Sequence, residues 1–276
     1  MRQPDPGLFG PDSVTWRIHG DPVLAVGGLR ALLLQSLHPR AMAAVAAHSG
    51  FRSDPWGRLQ RTAEYIGQIS FGTTEEAHRA AARVRGIHRK LTGTDPDTAA
   101  PFRIDDPELL LWVHCCEVDS FLSTVRRAGL RMTDGDAEQY LGEQVLAATL
   151  VGLPADAVPA SGADLADYFA GVRPRLRLTA QAREAARFVL LPPMPAWVQW
   201  LTPARPAWGG LAGLGFALLP RWARRFYKLP GLPTTDAGAS AAIRTLRRSL
   251  LALPSSVREG PHQKAARERF AEPASA

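Results

Sequence analysis

The sequence predicts an all-α protein, and three observations support that prediction. Alanine and leucine dominate the hydrophobic residues, which make up 46% of the 276-residue chain, enough for a packed core. Apolar residues recur at spacings of three and four along most of the chain, as on one face of a helix. No segment alternates apolar and polar residues over the length of a strand, and no internal repeat is present.

The helical segments follow one another in order, each bounded by turn or capping residues. A Pro/Gly-rich arm over residues 1–13 ends at Asp12-Ser13, a typical helix cap. Gly27 and Gly28 precede the first strongly apolar helix, and His38-Pro39 closes it. Up to residue 191 we expect helices over 29–37, 40–47, 56–70, 74–91, 107–128, 133–151, 161–170 and 180–191.

The C-terminal part differs in composition. Over 192–220, prolines punctuate three tryptophans, and the apolar run 207–219 is too short to span a bilayer. A basic and aromatic stretch follows, so residues 197–228 either make peripheral contact with a membrane or form a buried helix with a basic exit, which we favour. We expect one helical domain over 14–253, with 192–253 as a Pro/Trp-rich extension, and a loose polar tail over 254–276.

Charge and cysteine content exclude several classes of protein. There are 33 Lys+Arg against 26 Asp+Glu, a net charge of +7, but no basic run interleaved with aromatics in the first 200 residues. Nucleic acid is therefore not an expected partner. The adjacent Cys115 and Cys116 form no disulfide framework, and the N-terminus lacks the layout of a secretory signal. A cytoplasmic protein fits best.

His88 is the most informative histidine. It lies on the apolar stripe of the helix over 74–91, beside Val84 and Leu91, whereas His78 faces the charged side. A histidine on such a face is either a core residue or a ligand, and burial favours the neutral form that binds metals. Arg85 lies one turn before it, and this pairing would suit an anionic cofactor.

The helix over 56–70 carries a second polar set. Arg58, Arg61, Thr62 and Tyr65 lie three or four residues apart beside its apolar stripe. A solvated basic face is the alternative interpretation, which explains a single arginine better than the whole set.

The remaining histidines have simpler interpretations. His38 ends a helix, and a structural role is favoured there. His114 lies three residues before Glu117, so the two either form a buried hydrogen bond or His114 serves as a second ligand. His19 and His262 are expected at the surface.

Several stretches, in order, resemble the bacterial family of latex-clearing rubber oxygenases and MpaB-type oxygenases. They are GGLRALLLQSLHPRAM, HSGFRSDPWGRLQRTAEYI, RVRGIH and DDPELLLWVH, within residues 14–190. The resemblance implies a globin-like helical core enclosing one haem b and oxygen chemistry on hydrophobic substrates. No C-x-x-C-H motif is present, so a haem would be held without covalent attachment.

The family motifs assign roles to particular residues. The R-x-x-H of Arg85 and His88 makes His88 the iron ligand and Arg85 a cofactor-binding residue. The R-x-x-K-T motif appears as Arg58, Arg61 and Thr62, which implies catalytic distal residues, with Arg58 also at the cofactor. Arg61 stands where the family has a lysine, and a guanidinium has no lone pair to offer a metal. The sixth iron position would therefore stay open, or Arg61 would hydrogen-bond to bound oxygen. The family's distal glutamate has no match here, which puts polyisoprene cleavage in doubt.

The resemblance therefore implies a haem-dependent oxidoreductase, an oxygenase or peroxygenase that uses dioxygen or peroxide on a small hydrophobic, isoprenoid-like substrate. A haem carrier or gas sensor without turnover is the second hypothesis. A cofactor-free helical protein that binds a membrane or a partner through its tryptophan segment is the third.

Overall fold

The computed structural model describes residues 4–229 and 231–271, which form fifteen α-helices and one small antiparallel sheet. The all-α prediction is confirmed. The strands are β1 (Thr92–Thr94) and β2 (Pro101–Arg103). The helices are α1 (Val14–His19), α2 (Leu24–Gln35), α3 (Pro39–His48), α4 (Pro55–Phe71), α5 (Thr74–His88), α6 (Pro107–Arg127), α7 (Asp134–Leu150), α8 (Gly162–Val172), α9 (Ala180–Leu190), α10 (Ala196–Leu201), α11 (Ala204–Ala217), α12 (Arg221–Phe226), α13 (Pro233–Leu251), α14 (Ser255–Arg258) and α15 (Pro261–Ala271).

The centre of the core is the close contact between α2 and α6, with α11 on the other side of α2. A Cβ atom at Gly27 would lie 3.1 Å from the Phe121 ring and 3.3 Å from the Ser120 carbonyl. A Cβ atom at Gly215 of α11 would lie 3.2 Å from the Leu29 Cβ. Glycine at these positions lets the helix backbones approach one another, which a larger residue would prevent.

One buried arginine joins these three helices. Arg30 is 2% exposed and its guanidinium reaches Asp119 at 2.8 Å, the Ser120 hydroxyl at 2.6 Å and the Leu218 carbonyl at 3.0 Å. Because the buried charge has an ionic partner and hydrogen bonds, its desolvation is compensated.

A tight connection makes α4 and α5 an antiparallel hairpin. The Thr73 hydroxyl accepts a hydrogen bond from the Glu76 backbone N–H, and the Glu76 carboxylate accepts one from the Thr73 N–H. The chain therefore reverses at Gly72, and the end of α5 lies beside the start of α4. His88 and Arg58 are thus placed at the same end of the hairpin.

Two of the expected helix boundaries are wrong. The first apolar helix begins at Leu24 and includes Gly27 and Gly28, because Gly27 packs against α6. The helix expected to reach residue 91 ends at His88, because the chain turns there into β1, which pairs with β2. These strands have three residues each, too few to show an alternating pattern.

His19 is buried and not at the surface as expected. Its Nε2 lies 3.0 Å from the Tyr140 hydroxyl and its Nδ1 2.5 Å from the Ser70 hydroxyl. The Ser70 hydroxyl donates to the Ile66 carbonyl, so the His19 Nδ1–H must donate to Ser70 and Nε2 must accept from Tyr140. Burial lowers the pKa of His19 to about 3.

The C-terminal residues are also more ordered than expected. Instead of a loose tail, 255–271 contain two helices, and α15 packs against α4. The Phe270 ring lies edge-on to Trp16 at 5.6 Å, and Arg269 donates to the Phe71 carbonyl. Residues 1–3 of the predicted arm and 272–276 of the predicted tail lie outside the described residues.

The apolar run over 207–219 lies mostly in α11, which packs on α2 and buries Leu218 and Leu219 just beyond its end. The end of the run, 212–219, therefore packs into the core, whereas no residue of 197–211 is fully buried. In the described part of the chain, no helix combines the length and apolar character needed to cross a membrane.

Candidate functional site

A cleft lies beside the start of α4, and among the described residues none of α5 belongs to its lining. Its open volume, counting the part filled by solvent, is about 630 Å³. Its lining comes from α2, α3, α4, α6, α9 and the turn before α4, and is mostly apolar: Leu32, Gln35, Ser36, Ala41, Met42, Val45, Phe51, Pro55, Arg58, Leu59, Val113, Ala185, Phe188 and Val189.

The open space continues along α2. Leu32 and Gln35 line the cleft, and Gly28 precedes Leu32 by one turn on the same helical face. A Cβ atom at Gly28 would meet nothing within 4 Å. Glycine there leaves room that a larger side chain would fill.

Arg58 is the cation of the cleft. Its guanidinium makes no ion pair or side-chain hydrogen bond with any residue in the described ranges, although the surrounding protein excludes much of the solvent. This desolvation, together with the neighbouring charge of Arg61, lowers the pKa of Arg58. A partly buried cation without a protein partner can bind an anion such as a carboxylate.

The other two residues of the R-x-x-R-T motif are placed differently. Arg61 is 64% exposed and its Nη1 donates to the Asp54 carboxylate at 3.0 Å. Asp54 also caps α4 by accepting from the Gly57 N–H. Thr62 is exposed, and its hydroxyl donates to the Arg58 carbonyl at 3.0 Å. Neither Arg61 nor Thr62 belongs to the lining of the cleft in this structure.

His88 is the last residue of α5 and is partly buried. Its Nδ1 is buried without a hydrogen-bond partner in the part of the chain that the structure describes. Burial lowers the pKa of His88 against the opposing effect of the Asp105 charge, so the ring is neutral near pH 7. A neutral imidazole with an unused nitrogen is suited to metal ligation.

Arg85 does not share the surroundings of His88. Its guanidinium donates to the Leu150 carbonyl at the C-terminal end of α7, at 2.6 Å. A cation favours that end of a helix dipole, so Arg85 fastens α5 to α7. The structure therefore separates the two residues of the R-x-x-H motif by role.

Two ionisable side chains of α6, His114 and Glu117, are partly buried. Desolvation lowers the pKa of His114 to about 4 and raises that of Glu117 to about 7. The predicted His114–Glu117 hydrogen bond is not formed, and Glu117 pairs with no cation among the described residues. The Glu117 charge also raises the pKa of Tyr65 on α4, second to the effect of burial there, which places the carboxyl close to both helices.

The sequence motifs did not identify Glu117. The available signal was an acidic residue at helical spacing from the apolar Val113 and Phe121, a position where a carboxylate is unfavourable unless it has a use.

The chemistry of these residues suits a haem. Arg58 in the cleft can pair with a propionate, and the neutral ring of His88 offers a lone pair, although among the described residues neither His88 nor His114 belongs to the cleft lining. Within 4–229 and 231–271, no group of three His, Cys, Asp or Glu could hold a bare metal ion. Haem iron needs only one or two protein ligands because the porphyrin supplies the others.

Comparisons with known proteins show the family and the fold of the chain. A family model described as "ER-bound oxygenase mpaB/B'/Rubber oxygenase, catalytic domain" matches residues 16–250. A solved structure titled "Structure of Latex Clearing Protein LCP in the closed state" is similar with a TM-score of 0.58 and 19% sequence identity, covering 93% of this chain and 71% of that chain. At this identity the likeness shows a shared fold. No curated protein matches the sequence.

Proposed function

The chain belongs to the family of MpaB-type and rubber oxygenase catalytic domains, and on that premise we propose that it is a haem-b-dependent oxygenase or peroxygenase. Its substrate would be a small hydrophobic, isoprenoid-like molecule. One observation supports this most directly: the apolar cleft holds a partly buried arginine without a partner among the described residues, and the same hairpin carries a histidine whose Nδ1 is buried without one.

The cofactor would be held by His88 and Arg58. His88 would ligate the iron through its neutral ring, and Arg58 would pair with a propionate carboxylate. Arg85 would act indirectly, by fixing the end of α5 through the Leu150 carbonyl. When bound, haem supplies the redox chemistry with dioxygen or peroxide.

The family motif still assigns Arg61 and Thr62 to the distal side. For Arg61 to reach the cleft, its exposed ion pair with Asp54 must open. An exposed pair of this kind contributes at most about 1 kcal/mol, so this rotation is energetically accessible. Once there, the guanidinium would donate hydrogen bonds to an anionic oxygen species.

The cleft would select and protect a hydrophobic substrate. Phe51, Phe188 and Val189 offer apolar contact and exclude water from the reacting centre. Glu117 is not among the residues that line the cleft, but its pKa, raised to about 7, keeps a proton on its carboxyl up to neutral pH.

A second candidate function is a haem carrier or gas sensor without turnover. His114 favours it, because its ring is neutral and makes no hydrogen bond with the described residues. If His88 and His114 both held the iron, no position on it would be left for oxygen.

The test is the absorption spectrum of the protein purified from haem-replete cells. We expect a Soret band that is lost or shifted in His88→Ala and unchanged in His78→Ala, a matched control on the exposed face of the same helix. A spectrum of a six-coordinate low-spin haem that changes in His114→Ala, together with no response to peroxide, would favour the carrier. A protein that stays colourless after haem addition would refute both functions.

A further inference from the structure

The short helix α10 exposes an apolar face with no partner in the structure. Trp197 is 65% exposed, Trp200 75% and Leu201 80%. Their spacing of three and four residues places them on one side of the helix. Leu191, just before α10, is 60% exposed and extends the patch. Large apolar residues clustered in this way mark a binding surface.

The patch is held rigidly from behind. Trp56 donates its indole N–H to the Pro193 carbonyl at 2.9 Å, and Trp208 donates to the Val189 carbonyl at 2.9 Å. These two rings pack edge to face, 4.7 Å apart. The indole N–H groups of Trp197 and Trp200 make no hydrogen bond within the described ranges. An exposed tryptophan with an apolar body and an unused donor is typical of a membrane–water interface.

The chain segment that carries the patch has charges of one sign. Residues 185–235 contain six basic residues and no Asp or Glu. Two of the six, Arg221 and Arg224, pair with Asp236. Arg187 and Arg205 flank the apolar patch, are exposed, and form no ion pair with any described residue. An anionic surface complements this arrangement, whereas a second copy of the same face would be repelled by it.

We infer that the segment 191–205 docks the protein peripherally on an anionic phospholipid bilayer. Trp197, Trp200 and Leu201 insert at the level of the headgroups, and Arg187 and Arg205 contact lipid phosphates. This surface is narrower than the stretch 197–228 that the sequence predicts, because much of the rest of that stretch is packed into the core as α11 and its flanks.

The same surface adjoins the cleft. α9 contributes Phe188 and Val189 to the cleft lining and continues directly into Leu191 of the patch. On the other side, Trp56 holds Pro193 and is followed by Arg58 and Leu59, which also line the cleft. Docking would thus place the mouth of the cleft against the bilayer, from which a hydrophobic substrate can enter without crossing water. This second step rests on the proposed function, whereas docking itself does not.

The test is co-sedimentation of the full chain with vesicles. We expect binding to phosphatidylcholine vesicles that contain phosphatidylglycerol and much weaker binding to phosphatidylcholine alone. The double variant Trp197→Gln/Trp200→Gln should lower partitioning by about tenfold or more, and Arg187→Gln/Arg205→Gln should remove the preference for anionic vesicles. The matched control is Leu253→Gln/Val257→Gln, which replaces exposed apolar residues near α14, with Val257 67% exposed.

Three outcomes would overturn the inference: no binding of the parent to anionic vesicles, equal binding by the tryptophan variant, or a dimer that only this variant disrupts and that does not bind vesicles. Circular dichroism of each variant checks that it is folded. Because the spectrum of the haem is read separately, the two proposals can fail independently. A protein that shows the haem spectrum and is active but does not bind vesicles would refute docking alone. A protein without a haem spectrum that binds vesicles would refute only the proposed function.

Discussion

Replacing Arg58 by methionine should have opposite effects on the haem-free and the haem-loaded protein. Methionine keeps much of the aliphatic length of the side chain but removes the charge. In the haem-free protein, the Arg58 guanidinium is partly buried and pairs with no described residue, so its removal relieves part of the cost of burying a charge. In the loaded protein, the same cation would bind a propionate.

The magnitudes follow from these surroundings. A hydrogen bond to a charged group contributes about 1.5–3 kcal/mol, so haem binding should weaken by roughly 10- to 150-fold. The free energy of unfolding of the haem-free protein should stay the same or rise by on the order of 1 kcal/mol. The matched control is Arg61→Met on the same helix. It loses an exposed pair with Asp54, which should cost at most about 1 kcal/mol and leave haem affinity nearly unchanged.

Haem titration followed at the Soret band and urea unfolding of the haem-free proteins measure the two quantities. Equal haem affinities for Arg58→Met and Arg61→Met would refute the assignment of Arg58 to the cofactor. A haem-free Arg58→Met protein less stable than the parent would show that the charge has a partner that the structure does not reveal.

Three further predictions concern the core and the cleft. Gly28→Ala should stabilise the haem-free protein by about 0.5–1 kcal/mol, since its Cβ meets open space. Gly27→Ala should destabilise the protein, because its Cβ would press on the Phe121 ring. Urea unfolding compares the two variants, and the reverse order of stability would contradict the packing. His19 has a pKa of about 3 in the folded protein against 6.5 when unfolded, so the free energy of unfolding should fall by about 2 kcal/mol as the pH is lowered from 7 to 5. His19→Gln should remove that much of the pH dependence. The pKa of Glu117 is raised from 4.5 to about 7, so its contribution to stability is lost as pH rises. Relative to the parent, the free energy of unfolding of Glu117→Gln should therefore be about 2–3 kcal/mol higher at pH 8 than at pH 5. Parallel pH profiles for parent and variant would refute the burial of Glu117.

The starts of the helices could be predicted from the sequence because their signals are local. Ser13 and Thr73 each accept a backbone N–H three residues on, and a short polar side chain before an apolar run marks such a cap. The end of α5 was missed because it depends on β2, which lies more than ten residues further along the chain.

The pattern of apolar residues also predicted that His88 lies on the inner side of its helix, and its Nδ1 is buried. His19 was assigned to the surface because its partners, Ser70 and Tyr140, come from distant helices. No local pattern contains such contacts.

The sequence by itself therefore determined the helical class, the cap residues, the placement of His88 on an apolar stripe and the family. These features depend on neighbours within a few residues or on the order of short motifs. Tertiary structure alone decided that Arg58 remains without a partner while Arg61 binds Asp54, that Glu117 faces α4, and that Trp197 and Trp200 stay exposed. Desolvation and exposure depend on what packs around a side chain, and residues far apart in the chain supply those surroundings.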